Sequence, residues 1–192
     1  MASISRLESL IGGGERPPLI AVCGAADATP DNERDAEEVG RLIAESGGIV
    51  LCGGMGEGVM CAAARGAKAG GGLSVGLLAS DDVSEAAPDV GLALPTGLGE
   101  LTNAVLPRAC SGMVAIGRGY GTLAEVAHAV KLGRPVVALG SWEIRPPGAS
   151  EVDSSIHGAA SPRQAVEWVM QRASAVGSRI RERHSDRPAS WS

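Results

Sequence analysis

Phenylalanine is absent from the 192 residues, and only one tyrosine and three tryptophans are present. A core must therefore be built from Ala, Val, Leu and Ile, and few rings are left to stack the bases of RNA or single-stranded DNA. A basic excess is missing too: 17 Lys and Arg stand against 22 Asp and Glu, a formal charge of -5. That balance draws the chain neither to nucleic acid nor to an anionic membrane, and neither is expected as a partner. No apolar run approaches the roughly 20 residues of a membrane-spanning helix, and MASISRLESLIGGG lacks the apolar stretch of a signal peptide. A cytoplasmic location is expected. Cys23, Cys52, Cys61 and Cys110 show no metal spacing, and no carboxylate cluster accompanies His157 or His184, so no metal ion is expected. A small molecule is the ligand class left.

What the chain does have is glycine, 28 residues of it, concentrated where apolar runs end. The run Gly112 to Ile116 breaks into Gly117-Arg118-Gly119-Tyr120-Gly121 and then a helical pattern up to Gly133. A buried strand that turns on glycines into a helix leaves backbone N–H groups and the positive end of the helix dipole at one point. Such a point is suited to phosphate. Thr122 and Glu125 also read as a capping box, which gives Glu125 a purely structural alternative. The run Gly48 to Cys52 repeats the design, followed by Gly53, Gly54, Gly56 and Gly58 and an Ala-rich helix from about Val59.

In chain order, residues 1–18 read as an N-terminal extension or linker, residues 19–174 as one domain, and residues 175–192 as a flexible tail with arginines among its charges. Leu19 to Cys23 is an unbroken apolar strand ended by Gly24, and Thr29-Pro30 then cap and open a helix whose inner face is Ala36, Val39, Leu42 and Ile43. Further strands are expected over Leu73–Leu78, Val90–Leu94 and Pro135–Leu139, and a proline-bearing helix over Glu100–Cys110. Residues 140–160 read mainly as loop, and Ser161-Pro162 opens a last helix. The pattern predicts a single-domain α/β fold with a Rossmann-like parallel sheet and helices on both faces. Ligand then belongs outside the carboxyl ends of the strands, where the runs 19–23 and 112–116 diverge.

Three stretches carry a family resemblance: CGGMGEGVMCAAARGAKAGGG from Cys52 to Gly72, GLGELTNAVLPRACSGMVAIG from Gly97 to Gly117, and GRGYGTLAE from Gly117 to Glu125. The chain resembles the LOG-like, Rossmann-type nucleotide-binding superfamily, most closely the branch of small bacterial proteins and molybdenum cofactor carrier proteins. The LONELY GUY phosphoribohydrolases are more distant relatives. The resemblance implies a nucleotide or phosphorylated cofactor as ligand and a homo-oligomer as the assembly. In the hydrolases the motif PGGxGTxxE supplies a catalytic glutamate, matched by Glu125, and an Arg-Lys pair supplies a catalytic arginine. Here Gly117 replaces the proline, Arg118 replaces a glycine, and Thr102-Asn103 stands where the nearer relatives carry Arg-Asn.

Two readings follow from that pattern: a binding or carrier protein, or a phosphoribohydrolase with a rearranged site. The candidate ligand-binding residues are Gly24, Gly53, Gly54, Gly56, Gly58, Thr102, Asn103, Gly117, Arg118, Gly119, Gly121 and Thr122, with Glu125 catalytic if the chain is a hydrolase. Arg118 has three readings: a phosphate clamp, a plug in the ligand space, or a side chain in solvent. Arg108 and Arg118 are the two candidates to replace the missing arginine.

Overall fold

The computed structural model describes residues 16–185, with side chains described as far as residue 173. Seven strands form one sheet: β1 Leu19–Gly24, β2 Ile49–Cys52, β3 Ser74–Leu78, β4 Leu92–Pro95, β5 Gly112–Ile116, β6 Val136–Leu139 and β7 Ile156–Ala159. Their spatial order is β4-β3-β2-β1-β5-β6-β7, and every neighbouring pair is parallel. The chain builds outwards from β1 to one edge, returns to β5 beside β1, and builds to the other edge. That reversal opens a crevice at the carboxyl ends of β1 and β5, where Gly24 lies in register with Ile116.

Side chains alternate along each strand and so feed two cores. Ile20 and Val22 of β1 join a cluster with α1 (Pro30–Glu45), α2 (Gly58–Ala69) and α5 (Pro162–Ser185). Ala21 and Cys23 face the other way, to α3 (Thr102–Ala109) and α4 (Tyr120–Lys131). The small residues of α2 serve more than the sheet. A Cβ at Gly40 would collide with the Ala63 carbonyl and one at Gly66 with the Glu37 carbonyl, so α1 and α2 touch backbone to backbone. Arg65 then reaches across to Glu37, with its Nε donating at 2.9 Å.

The expected elements form, with three differences. β7 lies inside residues 140–160, read from sequence as loop. Its residues are Ile156, His157, Gly158 and Ala159, which carry no apolar alternation; the ladder to β6 and the stack of His157 on Trp168 at 4.6 Å make it a strand. The final helix continues to Ser185, past the point where an unstructured tail was expected. Residues 1–15 of the expected extension and 186–192 of the tail lie outside the described residues. The third difference is at α4 and concerns the site.

Candidate functional site

α4 begins at Tyr120, with Gly119 as its cap and no side-chain hydrogen bond to the first turn. The expected capping box is thus absent: Thr122 is the third helical residue, and Glu125 lies a turn inside the helix. Gly117 makes this possible. Its φ of +65° turns the chain sharply after β5, and a Cβ there would also fall on the Asn32 amide of α1. The early turn starts the helix before any Ser, Thr, Asn or Asp can cap it.

Helix N-termini line this end of the sheet and differ in charge; that of α3, like that of α4, has neither a side-chain cap nor an acidic residue in its first turn. Thr29 caps α1, its Oγ1 accepting from the Asn32 N–H at 3.2 Å, and Asp31 and Glu33 fill the first turn. Glu57 stands at the start of α2. The first turn of α4 has neither a side-chain cap nor an acidic residue. Its N–H groups and dipole therefore remain available to an anion.

The other site candidates distribute around this turn. Gly119 faces Ala25 of the β1–α1 loop, and Gly121 faces the Asn103 amide, 3.7 Å from where its Cβ would stand. Thr122 is buried. The Thr102 hydroxyl donates to the Gly99 carbonyl at 2.8 Å, so it is engaged at the start of α3. Arg118 is exposed. Arg108 sits at the far end of α3, where its guanidinium donates back to the Ala104 carbonyl at 3.3 Å and its own carbonyl accepts from Arg134. It stands towards the amino ends of the strands, away from this turn, so of the two candidate arginines only Arg118 lies in the loop of the site.

The second glycine turn is the wall across the crevice. Gly58, φ +67°, presses on the Ala25 and Ala26 carbonyls, and Gly54 lies against Gly76 of β3. Gly24 packs between Ile116 and Val59, while Gly53 lies against Met60. Beyond that wall a pocket of about 290 Å³ opens between α1 and α2, lined by Gly56, Gly58, Glu33, Glu57, Cys61 and Arg65. Gly56 and Gly58 of this lining are among the sequence candidates; Glu33, Glu57, Cys61 and Arg65 were not, because they read as solvated or structural positions.

Glu125 is 8% exposed on the inner face of α4. Burial pushes its carboxyl up to about 7, opposed by a hydrogen bond from the Cys23 thiol. The thiol lies 3.7 Å from the Val114 carbonyl as well, so its single S–H has two acceptors. Burial first, then the charge of Glu125, holds Cys23 well above the ordinary thiol range. Burial likewise raises Cys52 and Cys110, each to about 11. These three are protonated, inert thiols at neutral pH. Glu125 itself is poised between an acid and a base.

Sequence reasoning missed Asn32, Cys23 and Trp142 as parts of this site. Asn32 and Cys23 belong to a helix face and a strand, where only topology brings them to the turn. Trp142 lies just past β6 and donates its Nε1–H to the Gly119 carbonyl at 3.0 Å. Beside it the Ser141 hydroxyl is buried without a hydrogen-bond partner among the described residues.

The SLOG cluster4 family profile matches residues 17–175. A protein of Archaeoglobus fulgidus is 39% identical over 121 residues, 62% of this chain and 78% of that one. Among solved structures, the molybdenum cofactor binding protein of Rippkaea orientalis superposes with a TM-score of 0.73 at 32% identity, covering 82% of this chain and 98% of that one. The molybdenum cofactor carrier protein of Chlamydomonas reinhardtii gives 0.69 at 35% identity, over 82% and 98%. A profile spanning nearly all described residues, on a parallel sheet with its glycine turns at the β1–β5 crevice, identifies the chain as a LOG-like Rossmann-type protein that belongs to the SLOG cluster4 family.

Proposed function

We infer that the chain binds a nucleotide or phosphorylated cofactor and acts as its carrier. The observation that carries this reading is the first turn of α4, uncapped, free of acidic side chains and entered through the glycine turn at Gly117–Gly119, where α1 has Asp31 and Glu33 in its first turn and α2 has Glu57 at its cap. Phosphate accepts from the N–H groups of that turn, with Arg118 at hand in the same loop. The likeness to proteins described as binding or carrying the molybdenum cofactor supports a cofactor of that class. Among the described residues no three His, Cys, Asp or Glu side chains converge as metal ligands.

The second reading, a phosphoribohydrolase, is favoured by one observation: a buried glutamate with a pKa of about 7 in the crevice. Such a carboxylate can position water against a ribose that develops positive charge. Thr102 supplies no fixed cation at the family arginine's position, and the loss of such an electrostatic group commonly costs orders of magnitude in rate. A panel of nucleoside 5′-monophosphates and the isolated molybdenum cofactor separates the two readings. Retention of a phosphorylated ligand through gel filtration, with no free base released, is the expected result. Multiple-turnover base release that vanishes in Glu125→Ala would instead make the protein a hydrolase.

A homo-oligomer is proposed alongside. Leu92 and Leu94 on the free edge strand β4, with Leu98 and Leu101 after it, are exposed apolar side chains in one stretch of chain. A second copy covering them would relieve an exposed edge. Light scattering should give a mass above that of a single chain; a monomer at micromolar concentration would refute this part.

A further inference from the structure

We propose that Tyr120 and Trp142 form the seat of an aromatic heterocycle carried by the phosphorylated ligand, on the β6 side of the glycine turn. This rests on the reading of the first turn of α4 as the phosphate site. The chain has one tyrosine and three tryptophans in all. The tyrosine and one tryptophan stand together at this turn, with ring centroids 5.8 Å apart and planes tilted by 39°.

Tyr120 is 83% exposed. Trp142 therefore covers little of it, and core packing does not account for a ring at this position. Trp168 offers a contrast: its ring is stacked on His157 and lies 4.1 Å from the Arg172 guanidinium. Around Tyr120 a face remains open in a chain that otherwise has almost no rings to offer.

The placement matches a ligand with a phosphate at one end and a ring at the other. Tyr120 is the first residue of α4, so its own N–H belongs to the open first turn. A phosphate on that backbone and a ring on that side chain are contacts to the same residue. Trp142 is tied to the turn through the Gly119 carbonyl, which holds its ring beside the phosphate site. Gly119 and Gly121 on either side add no side chain that would obstruct a flat ligand. Stacking accepts any π face, so purines and pterins both suit the seat.

The pocket between α1 and α2 is the competing place for the ring. Its carboxylates, Glu33 and Glu57, face an anionic ligand with like charge, and its Arg65 is engaged by Glu37. Its lining has no aromatic ring. The seat at Tyr120 is favoured on both counts.

Guanosine 5′-monophosphate and ribose 5-phosphate, titrated by calorimetry into the full chain, separate the ring from the phosphate. Tyr120→Ala is expected to weaken the nucleotide about 5- to 150-fold and to leave ribose 5-phosphate within about twofold. Tyr120→Phe, which keeps the ring, should bind as the wild type does. Nucleotide binding should quench tryptophan fluorescence, and Trp142→Phe should remove that quench. Equal weakening of both probes by Tyr120→Ala, or of neither, overturns the proposal. So does Glu33→Gln changing the nucleotide affinity in either direction where Tyr120→Ala does not, which would put the ring between α1 and α2. If the wild-type chain binds neither probe, the phosphate site itself is gone and the seat goes with it; if it binds both and ignores Tyr120→Ala, only the seat fails.

Discussion

Glu125→Gln is expected to raise the stability of the protein by about 3 kcal/mol at pH 8 and to leave it nearly unchanged at pH 4. The carboxyl of Glu125 is raised from 4.5 to about 7, chiefly by burial. Between those pH values the folded chain binds more protons at this position than the unfolded chain. Stability therefore falls as pH rises from about 4.5 to about 7, and levels off above it. At 1.36 kcal/mol for each pKa unit, the full penalty is about 3 kcal/mol. Gln keeps the shape and removes the charge. For a chain of this size the melting temperature at pH 8 should rise by roughly 6–12 °C. Paired thermal melts of the two proteins from pH 4 to pH 8 give the difference directly. A difference that stays flat across the range would mean that Glu125 ionises in the folded chain as it does in water.

Holding a destabilising group at the ligand crevice has a functional sense. A glutamate that is half protonated near neutrality can donate a hydrogen bond to an anionic ligand or, when ionised, position water. The same side chain thus serves either reading of the site, and its titration alone does not choose between them. Thr102 weighs on the choice, because its hydroxyl is engaged by Gly99 and it offers no charge.

The architecture was legible in the sequence because the central strands are unbroken apolar runs, and glycine or Thr-Pro signals separate them from helices. Thr29 and Pro30 open α1 as their types require, and the divergence of β1 and β5 falls where the strand pattern put it. The capping box at Thr122 failed because local chemistry was read without the backbone. The positive φ of Gly117 starts α4 at Tyr120 and carries Thr122 past the capping position. β7 was hidden because an edge strand of Ile, His, Gly and Ala depends on its neighbour and on Trp168 for its order. The aromatic pair was out of reach for a different reason. Tyr120 and Trp142 are brought together only by the adjacency of β5 and β6, and scarcity of rings in the composition gave no hint that two would meet.

Gly121→Asp is expected to weaken phosphate binding while leaving the fold intact. Gly121 is the second residue of α4, is exposed, and lacks a positive φ; its Cβ would meet only the Asn103 amide, at 3.7 Å. An aspartate there is favourable to the helix dipole and replaces a poor helix former, so the melting temperature should hold or rise. The same carboxylate stands where the ligand phosphate would approach. Two like charges about 4 Å apart near a protein surface repel by about 4 kcal/mol, and screening at an exposed position reduces this to about 2 kcal/mol. Affinity should fall roughly 30-fold.

The measurement that bears most directly on the account is therefore a calorimetric titration of guanosine 5′-monophosphate into the wild-type chain and into Gly121→Asp at moderate ionic strength, with a thermal melt of each protein. The account predicts binding to the wild type, a loss of roughly 30-fold in the variant, and an unchanged or higher melting temperature. Equal affinity in the two proteins, or no binding by the wild type, would contradict the assignment of the first turn of α4 as the phosphate site.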